Sequence, residues 1–258
     1  NHQHAMEIWK YIQEHDNGIT NFHFEISADL LNGEELALLA KMRPGLVQLE
    51  IGVQSTNPET IRAIHRHMDL KKLEHCVNRV HSFRNIHQHL DLIAGLPEET
   101  LEDFKETLRE VEALKPDSIT VHTLVIKRAS RLRKEQLEQG GEMREEDACI
   151  EPMQKEAEQF CRVHGYEPYY MYRQKNKAHT TRNTNQENVA YAKPGKECLY
   201  NIFIMEELQS ILALGSGGSS KIVFPEENRM ERVENVKSVD DYIGRIDEMI
   251  RRKKESWR

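Results

Sequence analysis

Residues 46–66, LVQLEIGVQSTNPETIRAIHR, contain the clearest secondary-structure pattern of this chain. Its first half alternates between apolar and polar residues, as in a β-strand whose side chains point to opposite faces of a sheet. Asn57 and Pro58 then predict a helix start, since asparagine caps free backbone amides and proline tolerates the first helical position. We therefore expect a strand, a tight polar turn and a helix. The apolar face holds Val47, Leu49, Ile51 and Val53, and the polar face holds Gln48, Glu50, Gly52 and Gln54.

Two flanking segments repeat this alternation. Residues 21–27 place Glu25 on a polar face, and residues 86–94 place Asp91 on another. Three successive strand–helix units with one polar face each predict a parallel sheet curled around a ligand. The alternative is a solvated face with incidental polar residues. Parallel sheets are rarely left open to water on one face, which favours the ligand.

The strand–helix alternation continues to about residue 126 and then becomes irregular. Such alternation is typical of a parallel α/β sheet. We therefore predict an α/β fold in which residues 1–127 form a partial (βα) barrel of parallel strands and residues 128–258 form a small mixed α/β unit. The chain begins inside a helical pattern, so we expect the barrel to be truncated at its N-terminus.

Composition narrows the class of protein. The 36 basic and 43 acidic residues give a net charge of −7, so neither nucleic acid nor an anionic membrane surface is an expected partner. No apolar run approaches the roughly 20 residues that a membrane-spanning helix needs. The four cysteines match no metal motif and no disulfide framework, which predicts reduced thiols in a cytoplasmic protein and no metal site of their own.

Three motifs carry a family resemblance. GVQS at 52–55, Arg66 and DLIAGLP at 91–97 resemble the second half of a radical S-adenosylmethionine barrel. From TLEDFKETL at 100–108 onward, the chain resembles the oxygen-independent coproporphyrinogen III dehydrogenases. The first 97 or so residues are more similar to radical enzymes that carry a cobalamin-binding domain.

The resemblance implies S-adenosylmethionine as cofactor and assigns four contacts. Glu25 would bind its amino group, Arg66 its carboxylate, and Gln54 and Asp91 its ribose. The residue types suit these roles, since a zwitterion needs one group of each charge and ribose hydroxyls need acceptors. The alternative is that each residue is a satisfied polar side chain or a surface ion pair.

Enzymes of this family also hold a [4Fe-4S] cluster on three closely spaced cysteines. Cys76, Cys149, Cys161 and Cys198 do not provide such a triplet. We therefore expect a fragment that lacks the cluster ligands and is inactive in isolation, or a relative that has lost the chemistry.

A basic and aromatic patch is the candidate substrate site. Tyr170 and Tyr172 could line a flat macrocycle, and Arg173, Lys127 and Arg128 could pair with its propionates. The alternative is a core strand with a basic end. His87 and His89 share a strand face with Asp91, but no third metal ligand is evident, so we interpret them as polar filling of the barrel.

The function that the resemblance implies is the oxygen-independent oxidative decarboxylation of coproporphyrinogen III to protoporphyrinogen IX in haem biosynthesis. A low-potential electron donor would be a partner. Two rival functions stay open: a non-catalytic haem-binding or haem-trafficking relative, and a cobalamin-dependent radical methyltransferase.

Overall fold

The computed structural model describes residues 2–124, 134, 145–173 and 187–257. The strands are β1 (Phe22–Ile26), β2 (Val47–Gln54), β3 (His87–Ala94), β4 (Ser118–Thr123), β5 (Glu167–Arg173), β6 (Glu187–Ala192), β7 (Ser219–Phe224) and β8 (Arg229–Glu234). The helices are α1 (His2–Glu14), α2 (Gly33–Leu39), α3 (Pro58–Ala63), α4 (Leu70–Phe83), α5 (Leu101–Ala113), α6 (Glu145–Val163), α7 (Leu199–Met205), α8 (Val239–Gly244) and α9 (Ile246–Ser256).

A six-stranded sheet in the order β1-β2-β3-β4-β6-β5 forms the centre of the fold. The first four strands pair in parallel, each with the next strand in the sequence. β6 then pairs antiparallel with β4, and β5 pairs antiparallel with β6 at the edge. The fold is therefore α/β with a mostly parallel sheet, as predicted.

The two faces of the sheet differ in polarity, as the alternation predicts. On the apolar face, Leu49, Ile51, Leu90 and Leu92 are almost completely buried in the core. A side chain caps the first turn of each of α2, α3, α4 and α5. Asn57, for example, accepts hydrogen bonds from the backbone N–H groups of Glu59 and Thr60 at the start of α3. Capping satisfies amides that have no partner within the helix.

The chain divides into two compact units, residues 1–197 and 198–258. The division predicted at residue 127 falls inside the first unit, because β5 and β6 extend the sheet that β4 would otherwise end. Whether the residues after 127 act as a separate substrate unit stays a prediction.

The second unit is built on a hairpin. β7 and β8 pair antiparallel from Ser219 opposite Glu234 to Phe224 opposite Arg229, and α7, α8 and α9 belong to the same unit.

Among the residues that the structure describes, no helix is both long and apolar enough to cross a membrane. None of the four cysteines forms a disulfide.

Candidate functional site

A pocket of about 280 Å³ lies on the polar face of β1, β2 and β3. It brings together all four of the predicted cofactor contacts from three strands and the segment after α3. Their role as cofactor contacts stays a prediction. The lining residues are Glu25, Ile26, Ser27, Glu50, Gly52, Gln54, Arg66 and Asp91.

Strand register explains why these side chains meet. Glu25 stands opposite Glu50, and Glu50 stands opposite His89, so the three form one row across the sheet. Gly52 stands opposite Asp91 in the next row. Since partners in register point to the same face, the polar positions of separate strands converge.

Gln54 ends β2 in a strained conformation. Its φ is +68°, and Ser55 N donates a hydrogen bond to Val53 O at 2.9 Å across it. This pattern is a γ-turn with positive φ, which is rare because it is unfavourable for residues other than glycine. The turn breaks the regular pairing of β2 with β3 between Gly52 and Gln54.

Gly52 makes room for its neighbours in the pocket. A Cβ at this position would lie 2.5 Å from Gln54 Nε2 and 3.4 Å from the Nη2 atom of Arg66. Arg66 also donates from Nη2 to Gly52 O at 2.5 Å. The glycine therefore allows the amide and the guanidinium to occupy the same side of the strand.

Two acceptors in this pocket are buried without a hydrogen bond. Neither Gln54 Oε1 nor Asp91 Oδ1 has a hydrogen-bond partner among the described residues. Asp91 Oδ1 lies 3.3 Å from His89 Nε2 and 3.4 Å from His122 Nε2, close enough for attraction but without hydrogen-bond geometry. Buried polar atoms are almost always paired, so each exception calls for an explanation.

The Asp91 carboxyl is ionised at neutral pH. Burial raises its pKa, but the contacts with His122 and His89 outweigh burial and hold the pKa below its usual range. The carboxylate is therefore an acceptor with no proton of its own to donate.

Glu50 is a lining residue that the predicted site omits. Its carboxylate lies 2.8 Å from His23 Nε2, and both side chains are less than one-fifth exposed. The alternation of β2 already put Glu50 on the polar face, but the family resemblance assigned it no role. With Glu25 and Asp91 it gives the pocket three carboxylates against the guanidinium of Arg66.

His89, but not His87, belongs to a group of three possible metal ligands among the described residues. Glu50, His89 and Asp91 each present one ligand atom, and these atoms lie within 4.8 Å of one another. However, Ser118 Oγ lies 2.6 Å from His89 Nδ1, and Thr120 Oγ1 lies 2.5 Å from its Nε2. Because both ring nitrogens have hydroxyl partners, the arrangement fits polar filling, as predicted, better than metal ligation.

His87 is a neutral part of the same polar face. Burial lowers its pKa to about 4, outweighing the attraction of Asp117, and its Nε2 lies 3.0 Å from Ser118 Oγ.

A second polar cluster lies behind the turn at Gln54. Ser55 Oγ donates to Glu99 Oε1 at 2.5 Å, and Asn57 N donates to Ser55 Oγ at 3.1 Å. Thr107 Oγ1 accepts from Thr56 N at 3.1 Å. Burial raises the pKa of Glu99 to about 7, more than the hydrogen bond from Ser55 lowers it. No short sequence motif predicts this cluster, because its members lie about 50 positions apart in the sequence.

The predicted substrate patch is only partly described. Tyr170 stands opposite Ala190, which stands opposite Thr120, so Tyr170 lies on the same face of the sheet as Asp91. Tyr172 lies on that face too and is 45% exposed. Arg173 ends β5, and nothing is described of its side chain. Lys127 and Arg128 lie outside the described residues.

The cysteines do not fit an iron–sulfur cluster. Cys76, Cys161 and Cys198 are buried, and Cys149 is half-buried. In the described parts of the chain, no cysteine belongs to a group of three possible metal ligands. Burial also raises the pKa of Cys161 to about 12, which keeps it a thiol, whereas metals bind the thiolate.

Comparison with known proteins shows which family and which proteins this chain resembles. Residues 2–111 match the radical SAM superfamily. The oxygen-independent coproporphyrinogen-III oxidase-like protein HemZ of Bacillus subtilis is 38% identical over 221 residues, which is 85% of this chain and 42% of that protein. The heme chaperone HemW of Haemophilus influenzae is 25% identical over 185 residues, which is 70% of this chain and 41% of that protein.

A solved structure shows the same fold. The coproporphyrinogen III oxidase HemN from Escherichia coli, described as a radical SAM enzyme, matches with a TM-score of 0.66 at 18% identity. The match covers 96% of this chain and 54% of that one. This chain therefore spans roughly half, or less, of the length of these relatives.

Proposed function

Residues 2–111 of this chain match the radical SAM superfamily, and from that premise we propose that the pocket on β1, β2 and β3 binds S-adenosylmethionine. One observation carries the proposal. Gln54 Oε1 and Asp91 Oδ1 are buried acceptors that lack a well-formed hydrogen bond among the described residues. A ribose offers two hydroxyl donors, which would satisfy both atoms.

The charges around the pocket support the same ligand. The methionine part of the cofactor carries an ammonium and a carboxylate, for which Glu25 and Arg66 are the matched partners. The cofactor also carries a positively charged sulfonium. Glu50 adds a third carboxylate to the pocket, so its excess negative charge suits a ligand with two cationic groups.

In this account the residues of the chain bind and orient the cofactor. When reduced, S-adenosylmethionine supplies a radical that abstracts hydrogen. The described cysteines do not fit the cluster that would deliver the electron, so we derive no electron-transfer step through this chain. Its contribution is the placement of the ribose and the methionine group.

For the whole protein we propose oxidative decarboxylation of coproporphyrinogen III without oxygen, in the cytoplasm. The resemblance to the coproporphyrinogen-III oxidase-like protein of Bacillus subtilis supports this reaction. Tyr170 and Tyr172, on the face of the sheet that holds Asp91, are the proposed macrocycle contacts, with Arg173, Lys127 and Arg128 as partners of the propionates. The reaction would need a low-potential electron donor.

Haem binding without turnover is the second candidate, because a heme chaperone matches 70% of this chain. The two functions differ in what they bind. A chaperone would bind haem and leave it unchanged, whereas an oxidase would bind the porphyrinogen and consume it.

Calorimetric titration of this chain with S-adenosylmethionine tests the proposal. We expect the wild-type chain to bind at one site. Asp91→Asn should bind about 10-fold to 100-fold more weakly than the wild type, since a hydrogen bond to a charged group contributes about 1.5–3 kcal/mol. Asp247→Asn, which makes the same change at an exposed position of α9, is the matched control and should bind normally. Absence of saturable binding by the wild-type chain would refute the proposal.

A further inference from the structure

We propose that Glu99 is a positioning residue that holds the cofactor-binding turn at Gln54 through Ser55, and that it does so only in its protonated form. The inference rests on the proposed function, because it concerns the affinity of the same pocket for S-adenosylmethionine. It adds a residue outside the pocket and a dependence on pH.

The turn needs external support. Gln54 has a φ of +68° at the centre of its γ-turn, a conformation that persists only where the surroundings impose it. The amide that this turn presents is one of the two buried acceptors of the pocket. A change of backbone at Gln54 would therefore move a proposed ribose contact.

The support comes from the residue that follows. Ser55 is completely buried, and its hydroxyl donates to Glu99 Oε1 at 2.5 Å. The same hydroxyl accepts from Asn57 N at 3.1 Å, which ties the turn to the first residues of α3. Glu99 lies just before α5, so this contact links the ends of two strand–helix units.

Glu99 suits this role only when it is neutral. The residue is 2% exposed, and its Oε2 has no hydrogen-bond partner among the described residues. The charged group that acts on it in the described part of the chain is Asp103 on α5, a second acid. Ser55 and Thr107, the other side chains of the cluster, carry no charge. A buried carboxylate without a cation is strongly unfavourable, so ionisation would draw in water and release the turn.

The direction of the effect on affinity follows from linkage. Burial raises the pKa of Glu99 to about 7, so the group is protonated below that pH and ionises above it. If only the protonated form holds Gln54 in place, the affinity for the cofactor falls as the pH rises above 7. By reciprocity, bound cofactor favours the protonated carboxyl.

The test compares the wild-type chain with Glu99→Gln between pH 6 and pH 8.5. Glutamine has the shape of the protonated acid and cannot ionise. Titration of the ligand's own amino group affects both proteins alike, so the ratio of their dissociation constants isolates Glu99. We expect a ratio near one at pH 6. At pH 8 we expect the wild type to bind about tenfold more weakly than the variant, because one group with a pKa of about 7 is then protonated in only about one-tenth of the molecules.

The outcomes separate this inference from the proposed function. Binding by both proteins with a ratio that does not change with pH would overturn the inference alone. Absence of binding by both at every pH would overturn the proposed function and the inference with it.

A second measurement needs no variant that might fail to fold. Infrared difference spectra of the wild-type chain at pH 7.5 should show a gain in the C=O stretch of a protonated carboxyl when S-adenosylmethionine binds. Saturation with the cofactor and no such gain would also overturn the inference.

Discussion

At Gly52 the lack of a side chain lets two neighbouring groups share one pocket. The amide of Gln54 and the guanidinium of Arg66 both approach the position where a Cβ would stand. The atom that such a Cβ would meet first is the end of a flexible side chain, which can move away. A side chain at this position should therefore disturb ligand binding in the pocket more than it lowers the stability of the fold.

Gly52→Ala should weaken binding of S-adenosylmethionine while leaving the unfolding temperature nearly unchanged. The new methyl group would displace Gln54 Nε2, 2.5 Å away, and with it the acceptor on the same amide. One hydrogen bond contributes about 0.5–1.5 kcal/mol to the binding free energy, so its loss should lower the affinity about twofold to tenfold. Titration calorimetry and a thermal melt measure the two effects.

Gly33→Ala is the matched control, because a Cβ at Gly33 would meet nothing within 4 Å. It should bind the cofactor like the wild type. A large drop in the unfolding temperature of Gly52→Ala, with affinity retained, would contradict this account of the pocket.

Residue-level prediction from the sequence succeeded where alternation applies. Period two put Glu25, Glu50 and Asp91 on the polar face of their strands, and the structure brings all three into one pocket. It could not reveal the positive φ of Gln54, because alternation assumes a regular strand up to its last residue. It also missed the contact of Ser55 with Glu99, which only the packing of two strand–helix units creates.

The turn between β3 and α5 begins at a glycine that packs closely against α6. Gly95 has a φ of +85°, and a Cβ there would lie 2.7 Å from Cγ1 of Ile150 on α6. The turn therefore needs glycine for two separate reasons, backbone conformation and lack of space.

Gly95→Ala should destabilise the chain by about 2–5 kcal/mol. A left-handed conformation costs a residue with a side chain roughly 1–2 kcal/mol, and overpacking costs about 1–3 kcal/mol more. Gly45→Ala is the control, since Gly45 has a φ of +77° but nothing within 4 Å of its Cβ position. Urea denaturation of both variants separates the contribution of packing against Ile150 from that of the backbone. Equal losses in the two variants would contradict a packing role for Ile150.

At the scale of elements, the strand–helix alternation predicted β1 to β4 because every unit repeats one local pattern. The placement of β5 and β6 could not be predicted in the same way. Sequence marks an aromatic segment as a strand, but its partner and direction depend on which edge of the sheet stays open. The two strands join the edge at β4 in antiparallel orientation, so the sheet continues past residue 127.

At the scale of the whole molecule, the proposed radical chemistry has two requirements: a site that binds the cofactor and a cluster that delivers an electron to it. The described residues offer a pocket of suitable charge for the cofactor. They offer no group of cysteines for a cluster, since three cysteines are buried and the fourth, Cys149, lies apart from any group of ligands.

Anaerobic reconstitution of this chain with iron and sulfide should therefore leave far less than one four-iron cluster per chain. Buried thiols with a raised pKa, such as Cys161, are poor ligands. Iron analysis and the visible spectrum measure the result, and Cys149→Ser controls for iron held at the most accessible cysteine. About four irons per chain, with the spectrum of a cluster, would show that the cysteines do bind it.

In the proposed complex, Gln54 Oε1 and Asp91 Oδ1 accept hydrogen bonds from the two ribose hydroxyls. The most direct measurement is a cycle in which calorimetry compares S-adenosylmethionine with its 2′-deoxy and 3′-deoxy analogues, on the wild-type chain and on Asp91→Ala. Loss of the hydroxyl held by the Gln54 amide should weaken binding to the wild type by about 1 kcal/mol, and loss of the one held by the charged Asp91 by about 1.5–3 kcal/mol. On Asp91→Ala, removal of the hydroxyl that Asp91 holds should then have almost no further effect. Equal losses on both proteins for both analogues would mean that Asp91 does not touch the ribose, and would contradict the account.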